Sequence, residues 1–171
     1  MRQILDDGGT ISVVGTTSLT ADTLINIDEG QTSGGTHIFA GAITASAGQI
    51  QNLQASNGVT FGDITITNGG GLANDLFTQT GLMSLTGTVS VAGTSSLQLT
   101  ALNAGTLINQ TGGTITADTL SIRGNPTTAT LNQANDVNTL TSNNSSGNGA
   151  SVSFTDVDDV AISGVDFVAL T

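Results

Sequence analysis

The segment TADTL at residues 20–24 returns unchanged at residues 116–120, ninety-six residues later. Three shorter or imperfect copies also occur: TLIN at 23–26 and 106–109, GTTSL at 15–19 with GTSSL at 93–97, and GTIS at 9–12 with GTIT at 113–116. Self-similarity of this kind is typical of repeat proteins, in which each unit buries its apolar face only by stacking on the next one. The sequence therefore predicts a modular fold.

Short strands separated by tight corners explain most of the remaining pattern. Polar and apolar residues alternate at period two in residues 10–14, 63–67, 88–92 and 151–155, as in a strand that is buried on one face. Gly and Asn residues lie between such runs, as in the Gly triplet at 69–71, and they suit corners that require positive φ. No apolar period of 3.6 residues persists over ten residues, so helices are not expected.

Dividing the chain at these corners yields units of similar length. Their predicted starts are Gly9, Gly35, Gly58, Gly81, Thr106, Ala129 and Ala150. The starts are 21 to 26 residues apart, which leaves room for three strands of about five residues and three corners. This predicts an all-β fold: a right-handed parallel β-helix, or β-solenoid, of about seven coils with three short strands per coil. We expect a single, open-ended domain over residues 1–171.

The spacing of the repeated segments fits this architecture. The two TADTL copies are separated by the length of four coils of twenty-four residues, whereas two of the other pairs lie 78 and 83 residues apart. We therefore expect insertions at corners to absorb the differences. A β-sandwich would explain the alternation of polar and apolar residues but not the recurrence of whole segments.

The composition argues against several kinds of partner. Thirteen Asp and Glu residues are balanced only by Arg2 and Arg123, which leaves a net charge of −11. Nucleic acids and anionic membranes are bound through clustered Lys and Arg residues, so neither partner is expected. The chain has no cysteine, and disulfides, thiolate metal sites and cysteine nucleophiles are therefore impossible.

The aromatic content and the first residues also carry information. The chain has five Phe residues and neither Tyr nor Trp, which suits a narrow core of stacked Ile, Val and Leu. It begins MRQILDD, with acidic residues where a signal peptide has its apolar stretch, and no run approaches membrane-spanning length. We expect no membrane insertion, and either an export signal outside this segment or no export.

Three segments in the second half resemble a known family: GGTITADTLSI at 112–122, ATLNQANDVNTL at 129–140 and VSFTDVDDVAI at 152–162. They are similar to the repeats of filamentous-haemagglutinin-like exoproteins, which are very large bacterial surface or secreted proteins with right-handed β-helical shafts. The resemblance is clearest over residues 106–171. It implies a structural role and an extracellular or bacterial cell-surface location. The chain departs from the family in showing no secretion signal and no N-terminal cap.

Parallel β-helices also include polysaccharide lyases and hydrolases, which rely on basic residues or on paired carboxylates. Arg123 lies next to a Gly-Asn-Pro corner, and His37 is the only histidine. We expect Arg123 to be a solvated corner residue and His37 a polar surface residue beside Phe39. No catalytic or cofactor-binding residue is therefore predicted, and a lyase or hydrolase stays a remote alternative.

Asp156 and Asp158 are the one candidate metal site. On a strand both side chains would point to the same side, where two carboxylates can share a Ca²⁺ ion. The glycine-rich calcium nonapeptide is absent, so solvated carboxylates are the favoured interpretation. Thr65 and Thr67 form a Thr-x-Thr pair like those of ice-binding solenoids, but the uneven unit lengths argue against regular threonine ranks.

The sequence thus predicts a non-enzymatic β-solenoid segment of a large bacterial surface or secreted adhesin-like protein, acting as a rigid shaft or spacer. Its expected partners are the adjoining coils of the parent chain. The alternative is a self-assembling subunit of an extracellular filament, in which identical subunits stack head to tail through uncapped end coils.

Overall fold

The computed structural model describes residues 10–19, 23–26, 36–39, 41–45, 50–67, 73–124, 128–143, 150–164 and 167–170. These residues form sixteen strands of one sheet and contain no helix of the length and apolar character that crosses a membrane. The strands are β1 (Thr10–Val13), β2 (Thr17–Leu19), β3 (Thr23–Asn26), β4 (Thr36–Phe39), β5 (Ile43–Ala45), β6 (Ile50–Phe61), β7 (Ile64–Ile66), β8 (Ala73–Leu85), β9 (Val89–Val91), β10 (Ser96–Ala101), β11 (Leu107–Gln110), β12 (Ile115–Gly124), β13 (Thr128–Asn143), β14 (Ala150–Asp156), β15 (Ala161–Ser163) and β16 (Phe167–Leu170). The four strands predicted from alternation are confirmed as β1, β7, β9 and β14.

All pairings among the described strands are parallel, and they arrange the strands in three stacks. The first stack contains β1, β4, the ends of β6 and β8, β11, the start of β13, β14 and β16. The second contains β2, β5, β7, β9, the start of β12, the middle of β13 and the end of β14. The third contains β3, the starts of β6 and β8, β10, the ends of β12 and β13, and β15. The chain therefore visits three faces in turn and returns beside itself, which is the predicted β-solenoid.

Coil length varies more than the sequence predicted. Leu24 pairs with Asn52, twenty-eight residues later, whereas Val152 pairs with Leu170 after only eighteen residues. Between these extremes, the third stack advances by a constant twenty-three residues from β8 to β10 and from β10 to β12. Corners of variable length absorb the differences, and the register of the paired strands is preserved.

The two TADTL copies lie on the same face, although a register shift after Thr23 offsets them by one residue. Residues 23–24 of the first copy begin β3, and residues 119–120 of the second copy lie in the third-stack part of β12. β3 and β12 are four pairing steps apart, through β6, β8 and β10. The predicted separation of four coils is confirmed for the described part of these segments.

The shorter copies, in contrast, are displaced by one face. GTTSL leads into β2 of the second stack, while GTSSL leads into β10 of the third. TLIN forms β3 in the third stack, but its second copy forms part of β11 in the first. The prediction that corner insertions explain the spacings of 78 and 83 residues is therefore wrong, because the two copies of each segment lie on different faces. The same short pattern serves different faces because every face needs a strand with one buried side.

The core consists of rows of inward side chains, one from each coil. Ile43, Ile64, Val89 and Ile115 pair in sequence along the second stack and are all buried. A second row in the third stack consists of Leu76, Leu99 and Ile122, which are also buried. Each fully buried aliphatic side chain contributes about 1.5–3 kcal/mol relative to exposure, so the rows stabilise the stack at every coil.

Close backbone contact at the corners requires glycine. Gly113 has a φ of +63°, and a Cβ atom at this position would collide with the backbone of Gly87 in the preceding coil. Nearby, the backbone N–H and hydroxyl of Thr86 both donate to the carbonyl of Phe61, at 2.8 and 2.9 Å. The corners are thus tied to the preceding coil by hydrogen bonds, as the strands are.

Candidate functional site

A polar cluster on the outer face of the third stack is the most distinctive candidate site. Register brings Asp75 of β8 beside Gln98 of β10, and Thr100 of β10 beside Arg123 of β12. These side chains point away from the core because they alternate with buried neighbours such as Leu99. Three successive coils therefore contribute to one surface.

The carboxylate and the hydroxyl of this cluster are directly bonded. The Thr100 hydroxyl donates to Oδ1 of Asp75 at 2.7 Å. Thr100 is only 9% exposed although it lies on the outer face, since β8 and β12 place Phe77 and Arg123 on either side of it. The hydrogen bond is therefore partly shielded from water and links two coils.

The cation of the cluster is directed elsewhere. Nη1 of Arg123 donates to Oε1 of Gln98 at 2.7 Å, and its positive charge acts on Asp75 through the electrostatic field. The expectation that Arg123 is a solvated corner residue is thus wrong: it is the second-last residue of β12, partly buried, and bonded across to the preceding coil.

Burial raises the pKa of Asp75 from its ordinary value of 3.8 to about 6. The hydrogen bond from Thr100 and the positive charge of Arg123 both act in the opposite direction, because each favours the ionised carboxylate. Desolvation is the stronger effect here. A carboxyl group whose pKa is raised in this way can act as an acid or a base closer to neutral pH.

Nothing in the local sequence distinguishes Asp75, and it is not among the candidate residues predicted from the sequence. It follows a buried Asn and precedes a buried Leu in an ordinary strand pattern. The available signal is the constant spacing of twenty-three residues, which aligns Asp75 with Gln98 and aligns Thr100 with Arg123. That spacing becomes visible only once the register of the third stack is known.

A second polar cluster lies inside the solenoid, at the corner between the first and second stacks. Gln110 continues the apolar row of Phe61 and Leu85 and is buried. Its Nε2 donates to Oδ1 of Asn135 at 2.8 Å, and Nδ2 of Asn135 donates back to Oε1 of Gln110 at 3.3 Å. The two amides, one coil apart, thus satisfy each other.

Asn135 also bonds to the backbone of three segments. Its Nδ2 donates to the carbonyls of Leu131 and Thr155, at 2.9 and 3.0 Å, and its Oδ1 accepts from the N–H of Ile115 at 2.9 Å. Ile115 belongs to the preceding coil and Thr155 to the following one. A single fully buried side chain therefore connects three successive coils, and the arrangement supports a structural role.

The candidate calcium ligands are held differently from the sequence expectation. β14 ends at Asp156, so strand geometry does not extend to Asp158. The Asp156 carboxylate accepts from the N–H of Val137 at 3.1 Å and from the N–H of Asp158 at 3.3 Å. A hydrogen bond with Asp156, together with neighbouring negative charge, raises the pKa of the Asp158 carboxyl. Calcium binding at this pair stays a prediction.

The remaining candidate residues lie partly outside the described segments. Across the described segments, no three His, Cys, Asp or Glu side chains are grouped closely enough to hold a metal ion. The backbone of His37 lies in β4, but its side chain is outside the described part of the structure, as are the acidic pairs at 6–7 and 28–29. No family model, curated protein or solved structure matches the chain.

Proposed function

We propose that this chain is a non-enzymatic structural segment of a large bacterial surface or secreted adhesin-like protein, and that it acts as a rigid shaft or spacer. The observation that carries the proposal is the continuity of the coil-to-coil contacts. Every described strand is paired in parallel with a strand of a neighbouring coil, and the buried apolar side chains form one cluster. A stack of this kind resists bending because displacing one coil disturbs three strand pairings at once.

The bonding pattern also suits a mechanical load. Hydrogen bonds between parallel strands point from coil to coil, so tension along the stack is shared by the pairings of all three faces. The amides of Gln110 and Asn135 add side-chain hydrogen bonds in the same direction. The resemblance of residues 106–171 to haemagglutinin-like repeats supports a place in an extracellular adhesin.

A pulling experiment tests the shaft. The segment is placed between two marker domains of known unfolding force and stretched in an atomic force microscope. A stiff shaft yields discrete unfolding peaks with contour-length steps of about one coil or a multiple of it. Smooth extension without resolved peaks contradicts the proposal.

One observation favours the filament alternative as a second candidate. Ile162 pairs with buried Leu140 and continues the inward row of Leu97 and Leu120, yet it is 48% exposed. An inward position left open can receive another coil, whether from the parent chain or from a second copy. Electron microscopy of the purified chain separates these partners: fibres support head-to-tail copies, and uniform short particles that persist at high concentration contradict them.

The absence of enzymatic activity is also part of the proposal. The test is an assay on acidic and neutral polysaccharides with and without Ca²⁺. Turnover that is lost in Asp75→Asn or Arg123→Ala, while the variants remain folded, would overturn the structural role and identify the outer cluster as an active site. A chain without turnover on these substrates supports the proposal.

A further inference from the structure

The outer cluster of the third stack holds an acidic group in unusual surroundings. Asp75 is partly buried between coils, and the one described hydrogen bond to its side chain comes from a neutral hydroxyl, that of Thr100. The guanidinium of Arg123 is bonded to Gln98 rather than to this carboxylate. An ionised Asp75 is therefore poorly compensated in the folded chain.

The elements packed around Asp75 supply no other charge. On β8 the neighbouring outer residues are Ala73 and Phe77, and the sequence of β6 contains no Asp, Glu, Lys, Arg or His. β10 contributes Gln98 and Thr100, neither of which titrates. Arg123 of β12 is thus the single charged group that these strands place near the carboxylate.

We propose that the coils formed by β8, β10 and β12 are an acid-stabilised segment of the solenoid, in which folding takes up one proton at Asp75 as the surroundings become mildly acidic. This pH dependence is independent of the proposed shaft function, because it concerns only the stability of the segment. It makes the folded solenoid more stable at acidic pH and less stable at neutral or alkaline pH. Most proteins with ion-paired carboxylates behave in the opposite way.

The sign and size of the pH effect on stability follow from the linkage between proton binding and folding. The pKa of Asp75 is raised in the folded state, from 3.8 to about 6, so between these values the folded chain holds a proton that the unfolded chain releases. The resulting stability is fully present below about pH 4 and is lost as the pH rises through about 6. Between pH 7.5 and pH 5, the folding equilibrium constant should increase about tenfold, equivalent to about 1.4 kcal/mol.

The test compares urea unfolding of the wild-type chain and of Asp75→Asn at pH 5 and pH 7.5. Asparagine keeps the size of the side chain and an oxygen that accepts from Thr100, but it does not titrate. On acidification from pH 7.5 to pH 5, the folding equilibrium constant of the wild type should increase about tenfold more than that of Asp75→Asn. Asp118→Asn is the matched control, since Asp118 is an outward residue of β12 whose carboxylate accepts an exposed hydrogen bond. Its folding equilibrium constant should increase on acidification as much as that of the wild type.

Equal pH dependence of the wild type and Asp75→Asn would overturn the proposal. Carboxyl ¹³C NMR of the wild type provides a second test that needs no variant to fold. A titration midpoint near 6 for Asp75 supports the proposal, and one near the ordinary value contradicts it. Arg123→Gln removes the positive charge and should move that midpoint upward; a downward shift would also contradict the account.

Discussion

Replacing Asn135 by Asp is the substitution that tests the internal amide cluster most sharply. The two side chains have nearly the same shape, so packing is kept while the Nδ2 donor is lost. Two carbonyls, the buried one of Leu131 and the partly buried one of Thr155, then lose their hydrogen bonds and face a second oxygen instead. The change therefore isolates hydrogen bonding between coils.

The expected loss of stability is large. A buried polar group left without its partner costs about 1–3 kcal/mol; this applies fully to the Leu131 carbonyl and in part to that of Thr155. Because Asn135 is fully buried, the new carboxyl group must either remain charged in a poor environment or take up a proton. We expect Asn135→Asp to lower the free energy of unfolding by about 3–5 kcal/mol at pH 7. The loss should be smaller at pH 5, since a protonated carboxyl can donate one of the missing bonds.

Urea unfolding followed by far-ultraviolet circular dichroism measures this change, since the chain has no Trp or Tyr for fluorescence. Asn138→Asp is the matched control on the same strand. Asn138 is exposed and makes a surface hydrogen bond to Asp118, so its replacement should cost less than about 1 kcal/mol. Equal losses for the two variants, or a loss below 1 kcal/mol for Asn135→Asp, would refute the reasoning.

Three further predictions concern the corners, the core and the acidic pair. Gly113→Ala should lower the free energy of unfolding, measured with urea, by at least about 2 kcal/mol because the new Cβ would collide with backbone. Gly93→Ala should lower it by about 1 kcal/mol, since Gly93 has a positive φ but no neighbouring atom near a Cβ. Similar losses for the two variants would contradict the corner contact. Leu99→Ala should lower the free energy of unfolding by about 2–5 kcal/mol because Leu99 is buried. Leu107 is 44% exposed, so Leu107→Ala should lower it by less than about 1 kcal/mol; the reverse order would contradict the location of the core. Asp156→Ala should remove about 1 kcal/mol equally with and without Ca²⁺, since its carboxylate bonds to backbone N–H groups; a larger loss with Ca²⁺ present would reveal a bound ion.

Much of the fold was predictable because it depends on local pattern. Alternation located β7 and β9, and glycine corners fell next to the starts of first-stack strands, as at Gly58 and Gly81. The face occupied by a strand was less predictable. TLIN forms strands on two different faces, since alternation records that one side is buried and carries no information about which corner precedes it.

The polar clusters were harder to predict than the strands. The sequence is compatible with stacked amides. The pairing of Gln110 with Asn135, however, depends on the register shift between Leu131 and Asn135 in β13. Asp75 and Arg123 are forty-eight residues apart along the chain, and only two pairing steps of the third stack bring them to the same part of one face. The neighbours of Arg123 along the chain indicate a solvated corner, whereas its hydrogen-bond partner comes from the preceding coil.

The central claim, parallel stacking of successive coils, can be tested by disulfide cross-linking because the chain has no cysteine of its own. Thr65, Ser90 and Thr116 are aligned partners in three successive coils of the second stack. Adjacent coils lie about 4.8 Å apart, within the Cα separation that a disulfide accepts, and alternate coils lie about twice as far apart. Under mild oxidation, Thr65→Cys with Ser90→Cys and Ser90→Cys with Thr116→Cys should cross-link, and Thr65→Cys with Thr116→Cys should not. Cross-linking of the last pair in preference to the first two would contradict the account.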